Sequence, residues 1–310
     1  MKNSKIKYYA TSTLKLLLPG KLFRERLHSR LGTLSRYDAA YIRDRVEYYN
    51  RLREPFAPDD TFSTIREFRR RAKRKTYFYD LYEYLRYFDE DLRFRYLYGD
   101  VRHVPERPTL LKSRPLECDN ANSVLLKLNR VRHFLFLNDP VPFSQKEERV
   151  VWRGGAYQPH RRRFVREYYD HPLCDVGQTN KPKEDAPWQK PKMSIRAQLG
   201  YKFIFSIEGN DVATNLKWIM SSNSLAFMPR PKFETWFMEG RLIPEHHYVL
   251  VRDDFADLEE KIRHYTARPE EAMRIVRNAN AYVAQFMDRA REDLIALLVL
   301  NKYFQLSGQR

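Results

Sequence analysis

The residues from 201 to 228 constrain the fold of this 310-residue chain more than any other stretch. An apolar run, YKFIFSI, is followed by a polar turn that contains Gly209, by the helical pattern VATNLKWIM, and by a second apolar run, LAFM. The order strand, turn, helix, strand predicts a β-α-β unit, whose two strands lie parallel. A glycine-containing turn between a parallel strand and the next helix is a common phosphate-binding position. The sequence therefore predicts a nucleotide or another phosphorylated ligand.

Strand and helix patterns alternate from about residue 147 to residue 288. We predict further strands over residues 148–152 and 247–251, and helices over residues 160–169, 255–265, 269–287 and 290–304. Pro269 stands in the first turn of its helix, where a missing amide proton costs nothing, and Glu270 and Glu271 complement the helix dipole. This alternation is typical of a doubly wound α/β domain.

The first half of the chain has less regular patterns. Apolar spacing predicts a helix over residues 38–53, a basic helix over residues 63–75 with Ser63 as its cap, and an aromatic core helix over residues 77–97. Residues 121–132 have a helical pattern, and residues 133–137 are predicted to form a short buried strand. The basic run at 63–75 indicates either a solvated helix face or a nucleic-acid contact.

Composition indicates an anionic partner. The chain has 57 Lys and Arg residues against 40 Asp and Glu residues, a net charge of +17, together with 21 Tyr and 19 Phe. This combination favours nucleic acid, phospholipid head groups or a phosphorylated substrate. Cys118 and Cys174 are isolated, which argues against a structural zinc site and fits a reducing compartment. No apolar run reaches the roughly 18–20 residues that a membrane-spanning helix needs.

The first 36 residues are strongly basic. They carry nine Lys and Arg residues and one acidic residue, Glu25, with several leucines and Phe23 among them. Such a segment either lies on anionic lipid, where each cation near the surface adds about 1 kcal/mol, or forms a solvated helix packed on the domain. We therefore expect a cytoplasmic protein, or one bound to a membrane face without crossing it.

Several motifs in order resemble glycosyltransferase family 90. They are VVWRGG at 150–155, YKFIFSIEGNDVATNLKW at 201–218, SSNSLAFMPRPKFETWFMEG at 221–240 and LIPEHHY at 242–248, with YGDV at 98–101, PTLLKSRP at 108–115 and NSVLLKLN at 122–129 upstream. The family is the CAP10-like group of protein O-glucosyltransferases and bacterial lipopolysaccharide glycosyltransferases, and the bacterial branch is the more similar. The resemblance covers roughly residues 96–304.

This resemblance implies a GT-B fold, in which two Rossmann-like halves face a cleft. It also implies a UDP-sugar donor, no obligatory metal or other cofactor, and inversion at the anomeric carbon. We expect a basic helical extension over residues 1–60, an acceptor-side half over 61–146 and a nucleotide-sugar half over 147–310. The expected reaction moves a hexose, glucose or galactose, to a lipopolysaccharide core or related glycan. The expected location is cytoplasmic, peripheral on the inner face of the inner membrane.

Two aspartates are candidates for the general base that a neutral acceptor hydroxyl requires. Asp100 lies where the resemblance places the catalytic aspartate of eukaryotic members. It precedes a proline-rich stretch and the Lys112-Ser113 pair. Asp139, in Asn138-Asp139-Pro140, is the second candidate, although such turns are also common for structural reasons.

The departing diphosphate needs positive charge or oriented amides. Arg153 follows a predicted strand, precedes two glycines and matches an arginine of the family motif, and its fork suits two phosphate oxygens. Asn210 or Asp211 is expected to cap the helix after Gly209, and eukaryotic relatives have an arginine in place of Asn215. The full set of expected donor-site residues is Arg153, Lys202, Gly209, Asn210, Asp211, Thr214, Asn215, Lys217, Ser224 and Glu234.

Two other interpretations remain open at the level of sequence. A nucleic-acid-binding protein would account for the charge and the aromatic residues, but not for the alternating α/β half. A family member that binds a sugar nucleotide or glycan without transfer would account for Asn215 at a position where an arginine is expected. Turnover with UDP-sugars would distinguish an active transferase from a family member that binds without transfer. A steep salt dependence of DNA or RNA binding would favour a nucleic-acid-binding protein.

Overall fold

A computed structural model of the chain describes residues 4–180 and 186–310. The α-helices are α1 (Lys5–Leu16), α2 (Gly20–Arg24), α3 (Leu27–Gly32), α4 (Ala39–Tyr49), α5 (Ile65–Arg71), α6 (Thr76–Leu85), α7 (Arg130–His133), α8 (Pro159–Tyr168), α9 (Ile195–Gln198), α10 (Leu216–Met220), α11 (Leu258–Ala267), α12 (Pro269–Ala284) and α13 (Arg289–Leu306). The strands are β1 (Ser63–Thr64), β2 (Arg93–Phe94), β3 (Thr109–Leu111), β4 (Ser113–Pro115), β5 (Ser123–Leu125), β6 (Glu147–Gly154), β7 (Cys174–Gln178), β8 (Tyr201–Phe205), β9 (Leu225–Met228), β10 (Phe233–Thr235) and β11 (Val249–Leu250).

The described chain divides into two compact units. The sheet unit consists of His133–Lys232 and Glu239–Gln285, and the helical unit of residues 4–132, Phe233–Met238 and Phe286–Arg310. Helix α13 therefore belongs to the same compact unit as the N-terminal helices and not to the unit that contains the sheet. The domain boundaries predicted after residues 60 and 146 stay predictions.

The sheet unit is built on five parallel strands in the order β11-β9-β8-β6-β7. Numbered along the chain from β6, this is the order 2-1-3-4-5 read from the other edge, which is a doubly wound arrangement. The predicted α/β class and the parallel β-α-β unit over residues 201–228 are therefore confirmed.

Both faces of this sheet are buried, which explains its apolar sequence. Trp152, Phe203 and Phe205 pack into one core with residues of α8, α11 and α12. Val151 and Ile204 alternate with them along the strands and are also fully buried. A strand covered on both faces has no polar face, so its sequence reads as an apolar run and not as an alternation.

The helical unit contains short strand pairs. β1 pairs with β2 and β4 with β10 in antiparallel fashion, while β3 pairs with β5 in parallel. α13 packs on α4 and α6. The described residues of this unit form no continuous parallel sheet, so the expectation of a second Rossmann-like half is not confirmed.

Several predicted elements of the first half of the chain are wrong. The aromatic helix ends at residue 85 instead of 97, and β2 follows it. Phe94, Tyr96 and Tyr98 recur every second residue, which is the period of an extended chain. Residues 123–125 form β5 instead of a helix, and residues 134–137 form no strand. The cap of α5 is Thr64, in a capping box with Glu67, and not Ser63.

A buried ionic network holds Phe233–Met238 in the helical unit. Arg114 Nε donates to Glu234 at 2.7 Å, both side chains are fully buried, and the Tyr48 hydroxyl donates to the same carboxylate. The Trp236 ring stacks on Tyr49, with 3.8 Å between ring centroids. Because a buried charge without its partner is costly, this short segment depends on both contacts.

A second buried ion pair joins the two ends of the helical unit in sequence. Arg45 of α4 donates to both carboxylate oxygens of Glu292 in α13, at 3.0 and 3.2 Å. Trp236 Nε1 donates to Glu292 at 2.6 Å. The last helix therefore neutralises a charge that lies near the start of the chain.

Replacing Glu234 by alanine is expected to lower the free energy of unfolding by about 3–5 kcal/mol, because Arg114 would remain buried without its carboxylate. Asp253→Ala is the matched control, since it removes an exposed carboxylate paired with Lys232 and should cost about 0–1 kcal/mol. Urea denaturation followed by circular dichroism measures both. Equal, small losses would contradict the structural role of Glu234.

Candidate functional site

The strand order creates a switch point between β6 and β8. The chain leaves β6 for β7 on one side and later returns to β8 on the other. In open parallel sheets, ligands bind in the crevice outside the carboxyl ends of the strands at such a point. Here that position is formed by residues 155–161 after β6 and residues 206–211 after β8, and we call it the switch-point crevice.

Arg161 joins the two loops of the switch-point crevice. Its guanidinium donates to the carbonyl oxygens of Gly155 at 3.1 Å, Ile207 at 2.6 Å and Glu208 at 2.9 Å. His160 Nε2 lies 2.9 Å from the same Glu208 oxygen. The side chains at the start of α8 therefore set the separation of the two loops.

The first turn of α8 is electropositive. Pro159 begins the helix, His160, Arg161 and Arg162 follow it, and the first turn has no acidic residue. The amino end of a helix already has a partial positive charge, so cations there oppose the helix dipole. An anion in the crevice would relieve that opposition, and guanidinium groups bind phosphate oxygens in pairs. The first turn of α8 thus supplies positive charge of the kind that a diphosphate requires.

The predicted turn from Gly209 to Asp211 lies at this crevice but does not cap a helix. α10 begins immediately after Asn215, whose side chain makes no capping hydrogen bond. Asn210 Oδ1 accepts a hydrogen bond from Gln158 at 2.9 Å, and the amide of Gly209 donates to the Asp211 carbonyl at 2.8 Å. The capping role predicted for Asn210 or Asp211 is therefore wrong, because the chain makes a longer turn before the helix starts.

Asn215 secures the end of β8. Its amide nitrogen donates to the Phe205 carbonyl at 3.0 Å, and its oxygen accepts from the Ser206 hydroxyl at 3.1 Å. Thr214 precedes it as a half-buried turn residue. Asn215 therefore lies beside the crevice, where its side chain holds the end of β8 in place.

Arg153 is engaged within the sheet unit. Its guanidinium donates to the Asp175 carboxylate and to the Asp175 carbonyl, each at 2.6 Å, and only 7% of the side chain is exposed. Burial would raise the pKa of Asp175, but hydrogen bonds from Arg153, Tyr201 and Lys190 outweigh it and lower the pKa to about 2. Arg153, which was expected to bind phosphate, therefore links β6 to β7 within the sheet.

Three other expected donor residues also have partners inside the fold. The Lys217 ammonium is buried in an ion pair with Glu239. Lys202 Nζ lies 2.6 Å from Glu148, near the amino ends of β8 and β6. Ser224 donates to the carbonyl of the first residue of β8 at 2.8 Å. The amino ends of parallel strands lie at the opposite edge from the switch-point crevice, so Lys202 and Ser224 are not brought to it.

Asp139 is a buried structural carboxylate. It lies 2.8 Å from Lys146 Nζ and accepts a hydrogen bond from the Asn223 amide at 3.0 Å, with 1% of its side chain exposed. Burial lowers the pKa of Lys146, and the hydrogen bond with Asp139 opposes that effect. Asn223 precedes β9, so this group also lies at the amino edge of the sheet.

Asp100, in the helical unit, is more accessible than Asp139. Its carboxylate lies 2.8 Å from Nζ of the buried Lys112, and 35% of the Asp100 side chain is exposed. Gly99 precedes it with a φ of 97°, a conformation that favours glycine. The loop and Lys112 thus hold an accessible carboxylate in one orientation, whereas Glu234 is fully buried in the same unit.

The residues that sequence reasoning missed are those at the start of α8. The sequence predicted a helix over residues 160–169, but neither Arg161 nor His160 was among the expected site residues. A useful signal was available: a histidine and two arginines directly follow Pro159, at a helix end where acidic residues are the favourable choice. The assignments of Gly209, Asn210 and Asp211 to the donor, and of Asp100 to the base, stay predictions.

The lowered pKa of Asp175 predicts a pH dependence of stability. A carboxyl group with a depressed folded pKa stabilises the protein above its unfolded pKa, and that contribution is lost between about pH 4 and pH 2. Asp175→Asn should therefore be less stable than wild type at neutral pH, and the difference should shrink as the pH falls through this range. Unfolding by urea at a series of pH values measures it. Asp170→Asn, an exposed control, should parallel the wild-type curve, and a constant deficit for Asp175→Asn would contradict the assignment.

The chain matches known proteins over most of its length. The family model "Glycosyl transferase family 90" matches residues 127–307. The O-glucosyltransferase LpsA of Dichelobacter nodosus is 47% identical over 305 residues, which cover 97% of this chain and 96% of that protein. Protein O-glucosyltransferase 3 of Homo sapiens is 25% identical over 171 residues, covering 53% of this chain and 33% of that protein. The rat protein of the same name is 26% identical over 164 residues, which cover 51% of this chain and 32% of that protein.

These matches confirm the resemblance found in the sequence, including the greater similarity to a bacterial than to a eukaryotic relative. They also favour a glycosyltransferase over a nucleic-acid-binding protein. The family match includes β6, the switch-point crevice and the rest of the described sheet unit. The chain belongs to glycosyl transferase family 90, and it is a glycosyltransferase by its family and its relatives.

Proposed function

We propose that this protein is an inverting glucosyltransferase that uses UDP-glucose and glucosylates a hydroxyl of a lipopolysaccharide core or a related glycan. Its relative with 47% identity is named an O-glucosyltransferase, which favours glucose over galactose as the donated hexose. The observation that carries the proposal is the electropositive crevice at the switch point of a parallel sheet. As the family implies, the proposal includes no obligatory metal or other cofactor.

The diphosphate of the donor is assigned to the switch-point crevice. Breaking the bond to the anomeric carbon leaves negative charge on the departing UDP, so stabilising that charge lowers the barrier. Arg161 supplies fixed positive charge there, and His160 lies beside it in the first turn of α8. This assignment replaces Arg153, whose guanidinium is bound to Asp175, with side chains from the first turn of α8.

Asp100 is assigned as the general base. It would take the proton of the acceptor hydroxyl while the oxygen attacks the anomeric carbon from the face opposite UDP, which inverts the configuration. Its partial exposure supports this role, Lys112 fixes its orientation, and the burial of Asp139 makes Asp139 the weaker candidate. The GT-B arrangement that the family resemblance implies is retained as part of the proposal.

The acceptor and the location follow from the charge. A net charge of +17 suits an acceptor that carries phosphate groups and is anchored in an anionic membrane. We therefore propose that the protein works in the cytoplasm, peripherally on the inner face of the inner membrane, where a lipid-anchored core glycan would be available.

The test is turnover with a panel of UDP-sugars and isolated lipopolysaccharide core acceptors, followed by thermal stabilisation with each donor. UDP-glucose should give both transfer and stabilisation, with inversion at the anomeric carbon in the product. Stabilisation by donors without transfer would support the non-catalytic alternative. Neither transfer nor stabilisation by any nucleotide sugar would contradict the proposal.

Replacing Arg161 by alanine should weaken UDP binding by roughly tenfold or more, since a hydrogen bond to a charged group contributes about 1.5–3 kcal/mol. Calorimetric titration with UDP measures the affinity. Arg163→Ala is the control, because Arg163 is exposed and pairs with Glu167 on the same helix at 2.7 Å. Equal affinities of the two variants would remove the diphosphate from this crevice.

Replacing Asp100 by asparagine should reduce kcat by about 10²–10⁴-fold with little change in UDP affinity, because general base catalysis contributes that much. Asp60→Asn, an exposed carboxylate in the same unit, is the control and should retain full turnover. Product formation from radiolabelled donor measures kcat. An Asp100→Asn protein that folds and turns over at the wild-type rate would exclude Asp100 as the base.

A further inference from the structure

Helix α1 is fixed to α6 by three polar contacts. The Tyr8 hydroxyl donates to the buried Asp80 carboxylate at 2.6 Å, and the Thr13 and Tyr79 hydroxyls are 3.0 Å apart. Lys15 Nζ lies 2.5 Å from Glu83. All three contacts are made to α6, so hydrogen bonds and an ion pair fix the rotation of α1 about its own axis.

Along one face of α1, apolar side chains are exposed to solvent. Ile6 is 85% exposed, Leu14 65% and Leu17 77%, and Ala10 between them is also exposed. The spacings of four, four and three residues place these side chains on one face of the helix. Leu18 and Leu22 extend the exposed apolar surface beyond the end of α1. We call these residues, from Ile6 to Leu22, the leucine face.

The exposure of these large apolar side chains is unusual for a surface helix. Such a helix buries its apolar stripe against the core and exposes its charges. Here the polar contacts to α6 prevent the helix from rotating its leucines inward. A contiguous exposed apolar surface of this kind marks an interaction site.

The charges around the leucine face identify its occupant. Lys5, Lys7, Lys21, Arg26 and Arg30 are exposed in the same segment, and Glu25 is the single acidic residue within residues 4–36. Apolar side chains ringed by cations match the boundary between acyl chains and anionic head groups. No helix among the described residues is long and apolar enough to cross a bilayer.

We propose that the leucine face inserts into the head-group region of an anionic phospholipid membrane, with α1 lying in the plane of the surface. The polar contacts to α6 hold the helical unit directly behind the inserted leucines. This inference deepens the proposed function, on which it rests for the presence of a membrane-anchored acceptor. Vesicle binding is measured without any sugar transfer, so the two can fail separately.

The experiment is co-flotation of the full chain with vesicles of phosphatidylcholine and phosphatidylglycerol in equal parts, compared with phosphatidylcholine alone. Wild type should bind the anionic vesicles, less so at high salt. The double variant Leu14→Ser, Leu17→Ser should bind roughly tenfold or more weakly, because it removes two large apolar side chains from the interface. The control Ile243→Ser, Met287→Ser removes two side chains that are 56% and 54% exposed elsewhere and should bind like wild type.

Three further readings complete the test. Thermal unfolding and turnover on a soluble acceptor should be the same for both double variants, since the substituted side chains are exposed. Anionic binding that is unchanged by Leu14→Ser, Leu17→Ser would overturn the proposal. Sedimentation showing that wild type self-associates through these leucines and ignores vesicles would overturn it in favour of a second copy of the chain.

Discussion

The parallel pairing of β6 with both β7 and β8 is the constraint on which the rest of the sheet unit depends. β6 is hydrogen-bonded to β7 on one edge and to β8 on the other, so the connections that follow β6 and β8 run toward opposite edges of the sheet. In such an arrangement the loops at the carboxyl ends of the two adjacent strands diverge, and ligands bind in the crevice between them. Arg161 can hold both loops only because this order makes them neighbours.

The sheet was largely predictable, because a strand buried on both faces is recognisable in the sequence as an apolar run. Patterns over residues 147–288 identified β6, α8, β8, β9 and α12 close to their observed bounds. The helical unit was harder. β5 is stabilised by β3, more than ten residues away, and a short apolar run does not reveal whether its partner is a strand or a helix turn. The end of α6 was missed for a similar reason. A run rich in aromatic residues suits a core helix as well as an extended chain, and only the two-residue spacing of Phe94, Tyr96 and Tyr98 distinguishes them.

Charged side chains were the least predictable part of the site. Lys202, Lys217 and Arg153 each satisfied a chemical requirement for phosphate binding, yet each has a carboxylate partner within the fold. Sequence spacing does not show these partners, because Glu239 and Asp175 reach them through tertiary packing. The first turn of α8 was different: its cations oppose a local dipole, so their presence points to an anion even without coordinates.

The path of the chain between the units has a consequence for biosynthesis. Arg45 emerges from the ribosome early, but Glu292, which neutralises it in the buried interior, is translated 247 residues later. Trp236 and Glu234 arrive in between, and they too belong with the first residues. The helical unit is formed from three separate stretches of the chain, and the last of them is at the carboxyl end. The amino-terminal region therefore lacks part of its core until translation is nearly finished. Holding chaperones therefore have the longest opportunity to act on that region.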